Sequence, residues 1–253
     1  MFRGIEKKKF YTIDRIWFSD KEASNADIIR YLRTLKPLSG RFIHCISAET
    51  VFSDLSMSTE QIIANATKTV KYEVNKCEKE DVAVSFYTAD DLRNDVSLIE
   101  EFEQAYLSFA KELGIKEVAD AYQRSKIDNY IDCNCILLSK AVKESVSVYH
   151  VYSCGGQECV LNYSVSNFRS DNSLKNLAGR MNKLLHIKDM EWFRERGYLL
   201  YDWGNIHSSQ NPNGIDKFKM SFGGEIVTVY NSFVGNSLLG KLLVSLYKFT
   251  RKR

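Results

Sequence analysis

Two strand patterns joined by a glycine pair constrain the fold of this 253-residue chain more than any other feature. Val146–Ser153 and Glu158–Val165 have the composition of strands, and Gly155-Gly156 lies between them. Paired glycines adopt the positive φ angles of tight hairpin turns, so we expect the two segments to pair antiparallel. A helical pattern from Ser173 to Arg196 follows and ends at Gly197. A hairpin that leads into a long helix indicates a sheet with a helix packed on it.

Further strand patterns on both sides of the hairpin extend this sheet. Cys133–Val142 precedes it, and Tyr198–Trp203 and Ile226–Tyr230 follow the long helix. Three antiparallel strands, a crossover helix and further strands are typical of an α/β sandwich with a mixed sheet. The predicted fold class is therefore α/β, with a mixed β-sheet flanked by helices.

The first half of the chain divides near residue 57. Residues 1–57 carry strand patterns at Ile13–Phe18 and Arg41–Ile46, with a short helical pattern at Ala26–Leu35 between them. We expect residues 1–57 to pack on, or to be part of, the domain formed by residues 58–253. A capping box at Ser58 begins a predicted helix, whose apolar stripe consists of Ile62, Ala66, Val70 and Val74. The other predicted elements are a strand at Val82–Tyr87, a helix from Asp91 to Leu113, and short helices at Glu117–Arg124 and Ile215–Phe222.

Composition excludes several classes of protein. The chain is 44% hydrophobic with only two prolines, which indicates a packed core and not a disordered segment. Its 35 basic and 32 acidic residues give a net charge of +3, too balanced to indicate nucleic-acid binding by itself. No apolar run has the length of a membrane span, and the N-terminal residues lack the apolar core of a signal peptide. We therefore expect a cytoplasmic protein.

The cysteines do not have the spacing of a metal site or a disulfide framework. Cys133 and Cys135 are two residues apart on a strand, while Cys154 and Cys159 flank the hairpin turn near His150. Structural zinc sites usually combine more closely spaced pairs, and buried cysteine is a common core residue. We predict no metal, and we expect the six cysteines to be reduced.

Polar residues concentrate at the ends of the predicted elements between Gly179 and Glu225. In an α/β sheet, ligand crevices lie off the carboxyl ends of strands, where such groups converge. The same residues also suit ordinary helix faces and turns, so the pattern alone fits a functional site and a structural role equally. The polar residues concerned are Arg180, Asn182, His186, Asp202, Asn205, Lys217 and Lys219.

The same stretch resembles a known protein family. Gly214–Glu225 reads GIDKFKMSFGGE and resembles the G-[IL]-x-x-F-K-x-x-F-G-G-E signature of Fem-like acyltransferases. Tyr201–Asn205, YDWGN, is similar to the family's YD[WF]GG strand end, with Asn205 in place of the second glycine. Gly179–His186, GRMNKLLH, is similar to the family's G-x-x-N-x-x-L-H helix, and Thr69–Glu80 resembles its basic helix. These matches follow the family's order and span about residues 58–232.

The resemblance implies a GNAT-like, or acyl-CoA N-acyltransferase, fold and transfer of an acyl or aminoacyl group to an amine. It implies that Phe218 and Lys219 flank the reacting ester or thioester. From its position at a predicted strand end, we expect Asp202 to orient or deprotonate the amine. A solvated lysine on a helix face is the structural alternative for Lys219. The residues implied for substrate or donor binding are Arg180, Asn182, His186, Trp203, Gly204, Asn205, Lys217, Gly223 and Gly224.

The donor and the acceptor have alternatives. Fem-like enzymes use aminoacyl-tRNA and a peptidoglycan precursor, and they usually contain two GNAT-like units, for which this chain is too short. We therefore favour acyl-CoA as the donor, and a small molecule or lipid-linked saccharide of the cell envelope as the acceptor, with tRNA as the alternative. The usual CoA pyrophosphate loop, Q/R-x-x-G-x-G/A, has no match in Phe168–Arg180. This difference supports a third hypothesis, a catalytically silent module that binds a partner.

The final predicted helix begins near Ser237 and is amphipathic with a basic end. It either packs on the sheet with a solvated tail, which we favour, or lies on an anionic membrane surface. The second alternative predicts peripheral contact with the inner face of the membrane and would suit a lipid-linked saccharide. Its apolar residues are Leu238, Leu239, Leu242, Leu243, Leu246 and Phe249, and its basic residues are Lys241, Lys248, Arg251, Lys252 and Arg253.

Overall fold

A computed structural model describes residues 1–112, 124–167 and 172–250. Within these ranges, ten strands form one sheet in the order β1-β2-β3-β10-β4-β9-β8-β7-β6-β5. The strands are β1 Phe2–Lys7, β2 Thr12–Trp17, β3 Ile28–Thr34, β4 Ile43–Asp54, β5 Ala83–Thr88, β6 Ile136–Lys143, β7 Val146–Gly155, β8 Glu158–Ser166, β9 Leu200–Ile206 and β10 Glu225–Gly235. The helices are α1 Thr59–Asn65, α2 Lys68–Cys77, α3 Ala89–Asn94, α4 Ser97–Glu112, α5 Arg124–Asp132, α6 Asn172–Glu195, α7 Gly214–Met220 and α8 Leu238–Thr250.

The predicted hairpin and crossover are confirmed, but Gly155 is the last residue of β7 and only Gly156 of the glycine pair has a positive φ angle. Strands β6, β7 and β8 pair antiparallel in sequence order, and α6 then crosses to β9, which pairs parallel to β8. This last ladder is short, because it extends only from Glu158 opposite Leu200 to Val160 opposite Asp202. The two strands therefore stop pairing just where β9 reaches its predicted functional residues.

The helix predicted at Ala26–Leu35 is wrong, because this segment contains strand β3. Ile28, Ile29, Tyr31 and Leu32 are all buried, so both faces of the strand are covered and the apolar residues do not alternate. A short continuous apolar run of this kind cannot be distinguished from a buried helix by its periodicity. The second predicted strand of this region is longer than expected and forms β4.

Strands β1 to β4 join the sheet formed by the rest of the chain. Strand β2 pairs antiparallel with β1 and parallel with β3, and β10 inserts between β3 and β4 with antiparallel pairing on both sides. The last strand of the chain therefore bonds directly to two strands of the first 57 residues.

Two long predicted helices are each divided into two. The Ser58 capping box is present and begins α1, but Thr67 caps a new helix, α2, by accepting a hydrogen bond from the Val70 amide. The helix predicted from Asp91 to Leu113 is interrupted between α3 and α4, where the Asp95 carboxylate accepts a hydrogen bond from the Ser97 amide. Leu113 and most of Glu117–Arg124 lie outside the described residues, and α5, which begins at Arg124, was not predicted.

A hydrophobic core covers each face of the sheet. Adjacent residues of a strand point to opposite faces, and Leu137 and Leu138 accordingly belong to different cores. The first core contains Trp203 and the apolar faces of α1, α2 and α6, and the second contains Phe102 with residues of α4 and α5.

We predict that Phe102→Ala lowers the free energy of unfolding by about 3–5 kcal/mol, because it removes a buried ring from the second core. Phe10→Ala is the matched control, since Phe10 is 76% exposed and its loss should change stability by at most about 0.5 kcal/mol. Urea denaturation measures both changes. Equal effects of the two variants would contradict the packing described for α4.

Candidate functional site

A buried ion pair lies at Asp202, which is inside β9 and not at a strand end as predicted, at the point where β9 stops pairing with β8. The carboxylate of Asp202 is fully buried, and Arg33 on β3 reaches it with two guanidinium nitrogens. Arg33 Nη2 donates a hydrogen bond to Asp202 Oδ1 at 2.8 Å, and Arg33 Nε lies 2.8 Å from Oδ2. Oδ1 also accepts hydrogen bonds from Thr50 Oγ1 at 2.5 Å and from the Gly204 amide at 2.8 Å. Burial raises the pKa of Asp202 above its ordinary value, and the Arg33 charge opposes this rise.

Arg33 is central to this site, although no sequence pattern predicted it. Its backbone has φ +60°, a left-handed conformation that is uncommon for any residue other than glycine. This conformation occurs where the β3–β10 pairing shifts register, and the Asn231 side chain accepts a hydrogen bond from the Arg33 amide there. Arg33 Nη1 also donates to Asn205 Oδ1 at 2.5 Å. Non-glycine residues in strained backbone conformations cluster at functional sites.

Lys219 lies over the backbone that follows Asp202. Its Nζ donates a hydrogen bond to the Asn205 carbonyl at 2.7 Å. Gly204 has φ +73°, and a Cβ there would lie 2.8 Å from the Leu161 carbonyl oxygen and 3.6 Å from Lys219 Nζ. A side chain at residue 204 would therefore collide with β8. Burial lowers the pKa of Lys219 to about 8, with the Arg33 charge acting in the same direction and Asp202 opposing.

A cavity of about 390 Å³ opens where β8 and β9 stop pairing, and we call it the basic cavity. Three residues of the predicted site border it: Gly204, Asn205 and Lys219. The other basic residues on its wall come from β2, β3 and α5, and they are Arg15, Arg30, Arg33 and Lys126. Arg33 also borders a second cavity, of about 450 Å³, on the side of Phe52 and Leu200.

Phe218 and Trp203 lie apart from this cavity, in the first hydrophobic core. The Trp203 ring packs at 4.6 Å from the His186 ring and 4.5 Å from the Phe222 ring, and Trp203 Nε1 donates to Ser53 Oγ at 2.9 Å. Phe218 packs against the same histidine at 5.6 Å. Phe218 and Lys219 are neighbours in sequence, but only Lys219 borders the basic cavity.

His186 begins a buried chain of hydrogen bonds behind β9. His186 Nδ1 lies 2.7 Å from the Tyr201 hydroxyl, which lies 2.8 Å from the Tyr152 hydroxyl. Tyr152 donates to Asp189 Oδ2 at 2.5 Å, and the same oxygen lies 2.6 Å from His150 Nδ1. Burial lowers the pKa of His186 well below its ordinary value, which keeps this imidazole neutral.

One cluster of potential metal ligands occurs among the described residues, and several of its atoms contact protein groups. His150, His186 and Asp189 offer ligand atoms within 4.8 Å of one another. Both nitrogens of His150 lie at hydrogen-bond distance from Asp189 and Asn182, and the nearest polar neighbour of His186 Nδ1 is a tyrosine hydroxyl. His186 Nε2 and Asp189 Oδ1 are buried without a hydrogen-bond partner, so the hydrogen-bonded chain does not engage every potential ligand atom of this cluster.

The remaining predicted residues are dispersed. Arg180 forms an ion pair with Glu80 at 2.7 Å, Asn182 bonds His150 and Ser164, and Lys217 is exposed on α7. Gly223 and Gly224 border a third cavity, of about 430 Å³, and touch α1 and β4. A Cβ on these two glycines would lie 2.2 Å from the Asn65 carbonyl oxygen and 2.5 Å from the Phe52 carbonyl oxygen. Close packing therefore explains why both positions are glycine.

Comparison with known proteins shows the fold. No protein-family model and no curated protein matches this chain. FemX superposes with a TM-score of 0.60 at 11% identity over 95% of this chain and 85% of FemX. L-PGS from Bacillus licheniformis superposes with a TM-score of 0.52 at 12% identity over 96% and 84% of the two chains. The C-terminal domain of an Agrobacterium fabrum protein described as a lysylphosphatidylglycerol synthetase gives 0.53 at 12% identity over 88% and 72%. The chain therefore shares its fold with FemX and L-PGS, and the predicted α/β class with a mixed sheet flanked by helices is confirmed.

We predict that Asp202→Asn lowers the free energy of unfolding by about 3–5 kcal/mol, because the Arg33 guanidinium stays buried without an opposite charge. Arg33→Met combined with Asp202→Asn should be less destabilising than the sum of the single changes, by about 1–3 kcal/mol. A double-mutant cycle in urea measures this coupling. The exposed pair Arg93–Asp90 is the control, with an expected coupling below about 1 kcal/mol. Additive effects at Arg33 and Asp202 would contradict the buried pair.

Proposed function

We propose that this chain is an N-acyltransferase that transfers an acyl or aminoacyl group to an amine of a small molecule or a cell-envelope saccharide precursor. The observation that carries the proposal is the position of Lys219, whose Nζ projects over the Gly204–Asn205 backbone into the basic cavity. The fold shared with FemX and L-PGS supports it.

Lys219 supplies the positive charge that the reaction requires. Acyl transfer needs a neutral amine, an electrophile held close to it, and stabilisation of the oxyanion that develops. The Asn205 carbonyl holds the Lys219 ammonium in place, so little reorganisation is needed when negative charge develops. Because the pKa of this lysine is lowered to about 8, its proton is also more easily donated to a leaving group than that of an exposed lysine.

Asp202 is assigned a positioning role in this proposal. Its carboxylate is fully buried and engaged by Arg33, Thr50 and the Gly204 amide, so an incoming amine has no direct path to it. By holding the Gly204 amide and Arg33, it fixes the backbone over which Lys219 lies. The amine must then enter in its neutral form or lose its proton to solvent.

Acyl-CoA remains the proposed donor, and aminoacyl-tRNA is the second candidate. The second is favoured by the likeness to FemX, since aminoacyl-tRNA is the donor that the Fem-like resemblance implies. An assay with acetyl-CoA and a panel of amino sugars tests the first donor. Release of the CoA thiol is the signal that measures turnover. Transfer from charged tRNA tests the second. Turnover of neither donor would contradict the proposed activity and favour a silent binding module.

We further propose peripheral membrane contact through α8. One face of this helix buries Gly240 and Val244. This face therefore packs as the favoured sequence prediction expects. Its other face exposes Leu238, which is 86% accessible, together with Leu242 and Leu246 at four-residue spacing. The lysines of α8 suit an anionic lipid surface. No helix in the described ranges is both long enough and apolar enough to cross a bilayer.

We predict that Lys219→Met abolishes turnover and leaves the melting temperature nearly unchanged, because the lysine has no buried ion-pair partner to lose. Lys76→Met, on the exposed face of α2, is the control and should retain activity. Since the ammonium is the active form and its pKa is about 8, kcat should fall as the pH rises through that value. In Lys219→Arg this alkaline fall should disappear, because a guanidinium stays protonated. Full activity of Lys219→Met would overturn the assignment.

We predict that Leu242→Glu with Leu246→Glu abolishes co-sedimentation with vesicles of phosphatidylglycerol, because the pair places negative charge in the exposed apolar stripe of α8. Leu107→Glu on α4 is the matched control, as its side chain is also exposed but lies on another surface. Deleting Lys248–Arg253 should weaken the same binding through loss of charge. Unchanged co-sedimentation of the double variant would remove the membrane proposal.

A further inference from the structure

We propose that the basic cavity is a phosphate site, which binds the phosphate or diphosphate group of the ligand whose reacting atoms lie at Lys219. This inference deepens the proposed function, and it rests on that function for the role of the bound ligand. The phosphate site itself rests on the charges, the burial and the hydrogen-bonding groups of the cavity wall.

The wall carries more positive charge than its acidic neighbours neutralise. Five of the residues that border the cavity are cationic. Arg33 pairs with Asp202, and Arg15 contacts Glu6 through its Nη2. Within residues 1–112, 124–167 and 172–250, no carboxylate forms an ion pair with Arg30, Lys126 or Lys219. An anion in the cavity would supply the missing negative charge.

Two arginines lie directly opposite each other on neighbouring strands, and only Arg15 has an acidic ion-pair partner among the described residues. Strands β2 and β3 are parallel, and Arg15 lies directly opposite Arg30 in their register. Like charges at directly opposed positions destabilise a pair of strands. Arg30 stacks on the Phe233 ring at 4.7 Å, which holds the side chain in place but leaves its charge unpaired. A phosphate between the two guanidinium groups would convert this repulsion into attraction.

The guanidinium groups also have unused hydrogen-bond donors. Arg15 is only 7% exposed, and its Nε and Nη1 are buried without a hydrogen-bond partner. Nε of Arg30 is buried without a partner in the same way. Leaving a buried charged donor unsatisfied is costly, so such groups are normally paired. The planar donors of arginine match the oxygens of phosphate, which can accept two parallel hydrogen bonds.

Lys126 also borders the cavity. It lies in the first turn of α5, with its Nζ 5.6 Å from the Tyr130 ring. Burial, together with the charges of Arg15 and Arg30, lowers its pKa to about 8. A bound anion would favour the ammonium form and reverse this effect.

The cavity extends from these cations to Lys219. Asn162, Asn205 and Asn231 also lie on its wall and offer neutral hydrogen-bonding groups. Its volume of about 390 Å³ is within the range of small-molecule sites. One ligand can therefore place a phosphate at Arg15 and Arg30 and its reacting group at Lys219.

Titration calorimetry with inorganic pyrophosphate tests the site. We expect binding to the wild-type chain and a rise of about tenfold or more in Kd for Arg30→Gln and for Lys126→Gln, because each removes a charge-assisted contact. Arg194→Gln, an exposed arginine near the end of α6, is the matched control and should bind as the wild type does. Without pyrophosphate, Arg30→Gln should melt at or above the wild-type temperature, since it removes a repulsive charge. If Arg30 has only a structural role, Arg30→Gln should instead have a lower melting temperature than the wild type.

Competition identifies the source of the phosphate. Displacement of pyrophosphate by CoA assigns the site to the donor, and displacement by UDP-N-acetylglucosamine assigns it to a diphosphate-linked acceptor. Absence of pyrophosphate binding, or equal binding by both cavity variants and the wild type, would overturn the inference. Acyl transfer without pyrophosphate binding would refute this site alone. Pyrophosphate binding without any acyl transfer would refute the proposed function and leave the phosphate site intact.

Discussion

The ion pair between Arg33 and Asp202 joins parts of the chain that are 169 residues apart in sequence. Strands β10 and β4 lie between the two strands that carry it, so the side chains meet across the face of the sheet and not through neighbouring backbone. Both groups are buried, and neither would be stable there without the other. The pair therefore fixes the N-terminal strands relative to the point on β9 where its pairing with β8 stops and the cavity opens.

The same pair organises the surroundings of Lys219. Asp202 holds the Gly204 amide, Arg33 holds the Asn205 side chain, and the Asn205 carbonyl receives the lysine. Gly204 leaves space for the Leu161 carbonyl, where any side chain would collide. The lysine is thus positioned by backbone that two buried charges keep rigid. This arrangement gives a preorganised cation, which is what stabilisation of a developing oxyanion requires.

The sequence predicted the parts of the fold that depend on local patterns. The glycine-paired hairpin, the crossover α6 and the Ser58 capping box are each specified by residues close together in the chain. Strand β3 was mistaken for a helix because burial on both faces removes the alternation that identifies a strand. The breaks at Thr67 and Asp95 depend on single side-chain hydrogen bonds, which an apolar stripe does not reveal.

The candidate site was predictable only in part, for a related reason. Gly204, Asn205 and Lys219 were found because they lie in short motifs. Arg33 and the opposed Arg15 and Arg30 had no sequence signal, since their proximity depends on strand order and register. Gly223 and Gly224 match a motif as well, but they are explained by close contact with α1 and β4.

A crystal structure with a non-hydrolysable acyl-CoA analogue tests the central claim most directly, because it locates the reacting carbonyl relative to Lys219. We predict that the carbonyl oxygen lies within hydrogen-bond distance of Lys219 Nζ, inside the basic cavity. An analogue bound instead beside Gly223 and Gly224, with Lys219 still bonded only to Asn205, would contradict the account.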